Sequence, residues 1–440
     1  MRRNHNVRKL MTTLVIWVTI YLSLGSWSVA DERIPANPPA RYWKGNIHTH
    51  SLWSDGNDFP EMIAEWYRTH DYNFLALTDH NVLSAGQRWM KLSAITSRNG
   101  ATALPKYRAR FGDAWVETRG EGAAQEVRLK PLNEFRSLLE ERGKFIMMQG
   151  EEISDRAEGV PVHMNATNIK LLLQPLSGAT VREAMTNNLR AVAEQAEREG
   201  REVMLHLNHP NFGYAITAED LAHVVTEQFF EVYNGHPGVN QLGNASHASL
   251  ERIWDIANTI RVGQLNAPPL FGVATDDSHK YHGKPGSRPG RGWVMVRSTH
   301  LTPEFMVRAM KRGDFYASSG VSLEAVEFDP QSKRLQLRIQ AVPGVTYKTR
   351  FIGTRIGYDP KSEPHLGKDG KALRVTRKYS TDVGAVLAET TGNTPAFTLQ
   401  GDELYVRAVI ISSQAHPDPS HAGQFQQAWT QPFGWRAKLK

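Results

Sequence analysis

The sequence predicts an α/β fold followed by a smaller all-β region, and three observations support this prediction. From about residue 43 to residue 320, short apolar runs alternate with segments of helical period, which is typical of a parallel sheet flanked by helices. From residue 321 onward, apolar and polar residues alternate in period two, with turns about every eight to twelve residues, which indicates a small β-sandwich. The 440 residues are 40% hydrophobic and 22% charged, values that allow one large and one smaller globular domain.

The first thirty residues predict a secretory signal peptide (1–30). "MRRNHNVRK" is basic, "LMTTLVIWVTIYLSLG" is apolar, and "SVA" places small residues before a cleavage point after Ala30. The apolar run is shorter than the ~20 residues of a membrane-spanning helix, although an uncleaved anchor is the alternative interpretation. The sequence therefore predicts an exported, periplasmic or extracellular protein with no stable membrane insertion, whose mature chain begins with a Pro-rich lead-in (31–42).

Charge and cysteine content exclude several classes of function. Without the predicted leader, 48 basic residues face 45 acidic ones, so the net charge falls from +7 to about +3. This small excess gives no reason to expect nucleic-acid binding. Cysteine is absent, which excludes disulfides, thiolate metal ligands and cysteine nucleophiles.

In the larger region, strands and helices are predicted in alternation. The predicted strands are "RYWKGNIHTH", "YNFLALTDH", "KFIMMQGEE", "VPVHMNAT", "REVMLHLNHP", "QFFEVYN" and "LFGVATDDSH". The predicted helices are "PEMIAEWYRTHD", "LNEFRSLLEERG", "TVREAMTNNLRAVAEQAEREG" with a capping box of Thr180 and Glu183, a short helix from Thr217, "SHASLERIWDIANTIR" and "TPEFMVRAMKRG". Seven strands suit a barrel-like arrangement, and residues 97–130, which fit the pattern poorly, are predicted to be an insertion or lid.

Metal-capable side chains recur where these strands end. They are His48, His50, Asp55, Asp79, His80, Glu151, Glu152, His163, His209, Asp276, Asp277 and His279. In α/β barrels the C-terminal ends of the strands meet at one mouth, so we expect these side chains to converge. Such nitrogen and oxygen ligands suit Zn, Mn, Fe or Ni. The other eleven histidines, His206 and His236 among them, are interpreted as packed or solvated residues.

Six motifs carry a resemblance to a known family. "HTHSLWSDG", "LTDHN", "GEEIS", "VHMN", "NHPN" and "ATDDSH", in this order, resemble the motifs of the polymerase and histidinol phosphatase (PHP) superfamily, over roughly Trp43 to Gly320. The resemblance implies a distorted (β/α)7 barrel as residues 43–320, followed by the all-β domain (321–440). "AMKRGDFYASSG" and a β region that ends in "AWTQPFGW" are similar to an exported branch that includes carbaryl hydrolase-like proteins.

The resemblance also implies a ligand set for two or three divalent metal ions (Zn, Mn or Fe). The first ion would be held by His48, His50, Glu152 and Asp277, the second by Asp55, His80 and His209, and a third by His163 and His279 with Glu152 as a bridge. The G-x-E-I-S spacing favours Glu152 over Glu151, and the D-x-H spacing favours Asp277 over Asp276. Glu152, Asp79 and Asp277 are the predicted catalytic carboxylates, while Asp79, Glu151 and Asp276 either orient ligands or are ordinary loop carboxylates.

The function that the resemblance implies is metal-dependent phosphoester hydrolysis of a small molecule, through a metal-activated hydroxide in a di- or trinuclear site. A carbamate, ester or amide hydrolase on the same site is the alternative, and a non-catalytic, metal-stabilised binding protein is the third. About nine ligands for two or three ions leave coordination positions open, which favours an enzyme. The basic loop "HKYHGKPGSRPGRGW", with Lys280, Lys284, Arg288 and Arg291, is either a phosphate grip or a solvated surface loop.

Overall fold

The structure, a computed structural model, describes residues 37–283 and 285–439. The predicted signal peptide, the first half of the Pro-rich lead-in (31–36), and Lys284 of the basic loop lie outside the described residues. Within these two ranges, no helix is both long enough and apolar enough to cross a lipid bilayer.

The chain is a mixed α/β protein in which every predicted strand segment and helix of the larger region contains an observed element. The helices are α1 (Pro60–Thr69), α2 (Leu92–Asn99), α3 (Ala103–Phe111), α4 (Leu132–Leu139), α5 (Val181–Arg198), α6 (Ala218–His223), α7 (Leu250–Gly263) and α8 (Pro303–Lys311), with 3-10 turns at Gly122–Ala124 and Trp435–Lys438.

The strands before α8 include the seven that the sequence predicts. They are β1 (Arg41–Asn46), β2 (Phe74–Leu77), β3 (Arg88–Lys91), β4 (Thr118–Arg119), β5 (Glu126–Leu129), β6 (Ile146–Ala157), β7 (Val160–Thr167), β8 (Met204–Leu207), β9 (Phe229–Asn234), β10 (Phe271–Thr275) and β11 (Trp293–Ser298).

The strands after α8 belong mainly to the predicted all-β region. They are β12 (Phe315–Ser318), β13 (Leu323–Asp329), β14 (Arg334–Ile339), β15 (Tyr347–Arg355), β16 (Ser362–Glu363), β17 (Lys378–Tyr379), β18 (Ala385–Thr391), β19 (Ala396–Thr398), β20 (Glu403–Ala415) and β21 (Phe425–Thr430).

One long sheet runs through both regions, in the order β10-β9-β8-β7-β6-β2-β1-β11-β12-β21-β20-β15-β18. Its parallel pairs are β1 with β2, β2 with β6, β8 with β9, and β9 with β10. The hairpin of β6 and β7 and the pairing of β7 with β8 are antiparallel. The segment of predicted strands is therefore mostly parallel, with β7 as the exception, because a turn with positive φ at Glu158 and Gly159 sends the chain directly back.

Helix starts follow their capping residues. Thr302 caps α8 before Pro303, as predicted. Thr180 accepts from the Glu183 backbone at 3.2 Å, but the Glu183 carboxylate accepts from Ala179 at 2.8 Å, so the predicted reciprocal box is displaced by one residue. The complete capping box lies instead at α6, between Thr217 and Asp220.

The segment predicted as an insertion or lid forms a small subdomain of its own. Strands β3, β5 and β4 make a three-stranded sheet, beside α2 and α3. Its apolar cluster extends to the loop after β1, where the rings of Phe59 and Tyr107 stack 3.9 Å apart. The subdomain thus begins near Arg88, earlier than the predicted residue 97. It packs against the loop that carries Asp55.

The C-terminal region packs a second sheet, β13-β14-β19, against the far end of the long sheet. Strand β14 alternates exposed and buried residues, as its sequence predicts. Strand β20 is buried on both faces over most of its length, because α7 covers the side that faces away from the second sheet. Strand β21 pairs with both β12 and β20, so the long sheet is continuous from one region to the other. The boundary at residues 320 and 321 stays a prediction.

Candidate metal centre

The residues of the six motifs come together at one end of the β1–β10 segment. His48 and His50 directly follow β1, His80 follows β2, and His209 and Asp277 follow β8 and β10. Glu152 and His163 lie inside β6 and β7 instead of at a strand end, since these two strands extend past their neighbours as a hairpin. All nine predicted metal ligands belong to groups of side chains close enough together to share an ion.

Four of these side chains aim single atoms at one small volume. The Nε2 atoms of His48 and His50 are 3.1 Å apart, and Glu152 Oε2 lies 3.4 and 3.2 Å from them. Asp277 Oδ1 is 3.3 Å from each of the same two nitrogens. Ligand atoms placed tetrahedrally at about 2.0–2.2 Å from a zinc ion are about 3.3–3.6 Å from one another. The distances from the two histidines to either carboxylate therefore fit a common ion.

The two carboxylate oxygens of Glu152 face different histidines. Oε2 faces the first pair, His48 and His50, and also lies 3.0 Å from His80 Nδ1. Oε1 lies 2.9 Å from His163 Nδ1 and 3.6 Å from His209 Nε2. This arrangement is suited to a carboxylate shared between neighbouring ions, which is the bridging role that the resemblance implies for Glu152.

Asp55, at the mouth, defines a further group. Its oxygens lie 3.3 Å from His279 Nε2 and 3.7 Å from His80 Nε2 and His50 Nδ1. The resemblance assigned His209 to this group and His279 to the third ion, whereas the structure places His279 beside Asp55 and His209 beside His48 and Asp277. His209 is almost fully buried, beside His48 and Asp277, whereas His279 reaches the outer level, where the Asp55 side chain is 54% exposed.

The electrostatics of the group favour positive charge. Burial alone would lower the pKa of His48, but the carboxylates of Asp277, Glu231 and Glu152 outweigh it and hold this pKa well above its usual range. Burial would likewise raise the pKa of Asp277 and Glu152, yet the surrounding imidazoles hold both well below the ordinary carboxyl range. Carboxylates that remain charged in a buried site require cations close by, so the donor set fits divalent ions.

Glu231 supports this group and was not found from the sequence. Its carboxylate accepts from His48 Nδ1 at 2.6 Å, from the backbone of His209 at 2.7 Å, and from Asn234 Nδ2 at 2.7 Å. Asn234 also donates to Asp277 Oδ2 at 3.1 Å. One buried carboxylate thus orients three predicted ligands and leaves His48 Nε2 directed at the centre, which is the usual arrangement behind a metal-bound histidine.

His206 was interpreted as a packed or solvated residue, and the structure shows it packed beside Glu231. It is buried with no exposed surface, and its Nε2 lies 3.5 Å from the Glu231 carboxylate without hydrogen-bond geometry. Burial lowers the pKa of this imidazole. In the sequence, this buried pair is indicated only by Glu231, the single acid of the apolar strand "QFFEVYN", since a buried charge requires a partner.

Three of the predicted carboxylates, Asp79, Glu151 and Asp276, accept hydrogen bonds from other parts of the chain. Asp79 accepts four hydrogen bonds of 2.6–3.0 Å from the backbone and hydroxyl groups of Ser51 and Ser54, so it holds the loop between His50 and Asp55 and a direct catalytic role is not supported. Glu151 points away from the centre and accepts from the Leu173 backbone at 3.0 Å.

Asp276 holds the following loop. It accepts from the backbones of Gly290, Arg291 and Gly292 at 2.6–2.9 Å and from Tyr67 Oη at 2.7 Å. The G-x-E-I-S and D-x-H spacings thus selected the carboxylates that face the centre, Glu152 and Asp277.

The basic loop after His279 is tied to the C-terminal region. Arg291 is 4% exposed and donates to Asp418 Oδ1 at 3.0 Å and to the carbonyl oxygens of Gly235 and Gly286 at 2.8 and 2.9 Å. Arg288 pairs with the same Asp418. Two of the four cations are therefore used in holding the loop, which weakens the phosphate-grip hypothesis and leaves Lys280 as the described cation closest in sequence to His279.

Comparison with known proteins gives similarities of fold only. No protein-family model and no curated protein matches the chain. Among solved structures, the chain is similar to a two-domain protein from Bacteroides vulgatus, described as containing a predicted PHP-like metal-dependent phosphoesterase. The sequence identity is 13% and the TM-score is 0.37, over 91% of this chain and 97% of that one. It is also similar to a protein from Bifidobacterium adolescentis that is described only as a candidate metal-dependent phosphoesterase, at 15% identity and a TM-score of 0.28 over 57% and 92% of the two chains. The first description names the superfamily that the sequence motifs resemble; both TM-scores are low, and neither similarity bears on what this chain does.

Proposed function

We propose that this chain is a metal-dependent phosphoesterase that hydrolyses a small organic phosphate ester outside the cytoplasm. The observation that carries the proposal is the Glu152 carboxylate, whose two oxygens face separate histidine pairs, His48 with His50 and His163 with His209. A carboxylate shared in this way is typical of sites where two ions act together on one phosphoryl group. The order of the six sequence motifs supports the same assignment, and the leader supports export.

The proposed ligand sets combine the observed groups with the roles that the resemblance implies. The first ion would be held by His48, His50, Glu152 and Asp277, the second by Asp55, His80 and His279, and the third by Glu152, His163 and His209. Zinc, manganese and iron suit these donors. When bound, such ions lower the pKa of a coordinated water toward ~7 and stabilise the charge that develops on a phosphoryl oxygen.

The chain's own residues fix the geometry that this chemistry needs. Glu231 orients His48, while Asn208 donates to Glu152 Oε1 at 2.9 Å and Asn234 donates to Asp277. These buried contacts restrict the side chains before substrate arrives, which lowers the cost of reorganisation during the reaction. The substrate would enter beside Asp55, the most exposed carboxylate of the group.

The barrel and the division into domains are part of the same proposal. Seven strands that are neighbours in the long sheet would form a closed barrel: β10, β9, β8, β7, β6, β2 and β1. This barrel would belong to a hydrolase domain of residues 43–320, which precedes the β domain of residues 321–440. Support comes from the parallel bridge between Thr49 and Ser278, which continues β1 and β10, and from the bond of 3.0 Å from His50 N to Ser278 O.

A carbamate, ester or amide hydrolase on the same site is the second candidate. The likeness of the C-terminal motifs supports it, and one further observation is compatible with both candidates. The ring of Phe212 lies 5.2 Å from His209 and 6.0 Å, edge to face, from His236, which in turn lies 5.8 Å from His279. This aromatic wall suits a planar leaving group of an uncharged aryl ester or carbamate as well as that of an aryl phosphate.

A parallel assay distinguishes the candidates. The protein, loaded with Zn or Mn, is tested on 4-nitrophenyl phosphate, bis(4-nitrophenyl) phosphate, 4-nitrophenyl acetate and an N-methyl aryl carbamate. We expect turnover of a phosphate ester that chelator abolishes and added metal restores, and loss of both turnover and bound metal in a double variant of His48→Ala and His50→Ala. Faster turnover of the carbamate or acetate would favour the second candidate, and activity indifferent to chelation would contradict both.

A further inference from the structure

A separate cavity of about 740 Å³ lies in the C-terminal region. It forms where the loop between α8 and β12, the turn between β13 and β14, the loop between β19 and β20, and the C-terminal 3-10 turn meet. None of the candidate metal ligands lines it. Its volume is within the range of pockets that hold small organic molecules.

One wall of the cavity is apolar and partly aromatic. It contains Val326, Phe328, Leu399 and Phe433, and the rings of Phe328 and Phe433 stack with centroids 5.5 Å apart. At Gly434, where φ is 79°, a Cβ atom would lie 2.6 Å from Leu399 Cδ2. Glycine therefore lets the chain turn tightly against this wall, where a larger residue would displace Leu399.

Two of the acids that line the cavity already have partners. Asp314 accepts from Arg312 Nε at 2.7 Å. Glu403 accepts from the backbones of Gln400 and Gly401 at 3.2 and 3.1 Å and pairs with Arg355 at 3.1 Å. Their negative charge is therefore largely compensated within the protein.

Four of the lining cations, Arg297, Lys333, Arg436 and Lys438, make no ion pair with any residue in ranges 37–283 and 285–439. Lys438 donates instead to the Gly401 carbonyl oxygen. Among the lining acids, only Glu327 is likewise without an ion pair in those ranges. The guanidinium of Arg436 lies over the Trp435 ring at 4.6 Å. The cavity thus combines an apolar wall with an excess of positive charge at its rim.

We propose that this cavity binds an amphipathic organic carboxylate. The apolar part would lie against Val326, Phe328, Leu399 and Phe433, and the carboxylate would be held by the rim cations, among which an arginine can bind it with two parallel hydrogen bonds. The site is independent of the metal centre and gives the C-terminal region a binding role of its own.

Dodecanoate is a suitable probe, measured by isothermal titration on the full chain after chelator treatment, so that the metal centre cannot contribute. Acetate supplies the head group alone and dodecanol the tail alone. A variant of Arg297→Gln, Lys333→Gln and Arg436→Gln removes three of the rim cations. Its matched control, Lys361→Gln, Lys368→Gln and Lys371→Gln, removes three exposed lysines outside the cavity, and thermal unfolding verifies that both variants fold.

We expect saturable binding of one dodecanoate per chain, with acetate and dodecanol binding at least about tenfold more weakly. The cavity variant should also lose at least about tenfold in affinity for dodecanoate, since it lacks the charge that the carboxylate needs, while the control variant binds as the wild type does. The proposal is overturned if dodecanoate shows no saturable binding, if both variants bind equally well, or if dodecanol binds as tightly as dodecanoate.

Discussion

Two groups of buried acids in this molecule are neutralised in different ways. Asp255, on α7, accepts from the Arg407 guanidinium at 2.8 and 2.7 Å and from Tyr405 Oη at 3.0 Å, so the chain supplies its own permanent cation. Glu152 and Asp277, equally buried, face imidazoles and amides, and no lysine or arginine in ranges 37–283 and 285–439 forms an ion pair with them. An acid paired with arginine has a structural role, whereas acids surrounded by histidines form a site suited to cations from outside.

The largest expected effect is at the shared carboxylate. Glu152→Gln removes the charge that faces both histidine pairs, so turnover should fall by at least about 10³-fold and bound metal should be lost. Initial rates and elemental analysis check this. Glu151→Gln is the matched control, since its side chain points to Leu173 instead, and it should keep both properties; a Glu151 variant as inactive as the Glu152 variant would contradict the assignment.

The second effect concerns stability alone. Arg407 is fully buried, and Arg407→Met leaves Asp255 charged without its partner, so the free energy of unfolding should fall by about 3–5 kcal/mol. Urea denaturation measures the loss. The exposed pair of Arg338 and Glu324 serves as control, since Arg338→Met should cost at most about 1 kcal/mol. The comparison between the two regions fails if Arg407→Met lowers metal affinity in protein that is still folded.

A third effect separates orienting residues from ligands. Glu231→Gln keeps the shape of the side chain but weakens its hold on His48, so metal affinity should fall about 10–100-fold while some activity persists at high metal concentration. Competition with a fluorescent chelator measures the affinity. Glu227→Gln is the control, since Glu227 is a buried acid just before β9 whose carboxylate accepts from the backbones of Gln228 and Phe229. An unchanged affinity in the Glu231 variant would remove its proposed role.

The smallest effect is a dependence of stability on pH. Burial raises the pKa of Glu227 to about 8, above its value of ~4.3 in an unfolded chain. Between these values the unfolded chain has released the proton that the native state retains, so this group's contribution falls as the pH rises from about 4 to 8. Glu227→Gln should flatten that slope, so the variant gains stability relative to the wild type as the pH rises from 5 to 8. Unfolding curves across this range that match the wild type would show that Glu227 is ionised in the native state.

Much of the metal centre was predictable because its signals are local. Two histidines separated by one residue after a strand lie on the same side, and six motifs at successive strands imply convergence. Which of these side chains lie together was not predictable, because it depends on their depth in the site, with His209 buried and His279 near the mouth. Glu231 was missed because one acid in an apolar strand reveals its partner only after folding.

In the C-terminal region, too, local patterns predicted strands but not the contacts between residues distant in sequence. Period-two alternation identified strands such as β14, whose outer face meets solvent. Strand β20 departs from that pattern because Arg407, on its other face, reaches Asp255 in a helix more than a hundred residues earlier. No local pattern indicates that β21 joins β12 and extends the first sheet into this region.

The most direct test of the central claim is anomalous diffraction from crystals of the protein loaded with zinc or manganese, recorded at the absorption edge of the metal. The account predicts two or three peaks within bonding distance of His48, His50, Glu152, Asp277 and the group around Asp55. A map with no peak at this cluster, from protein shown to be folded, would contradict it.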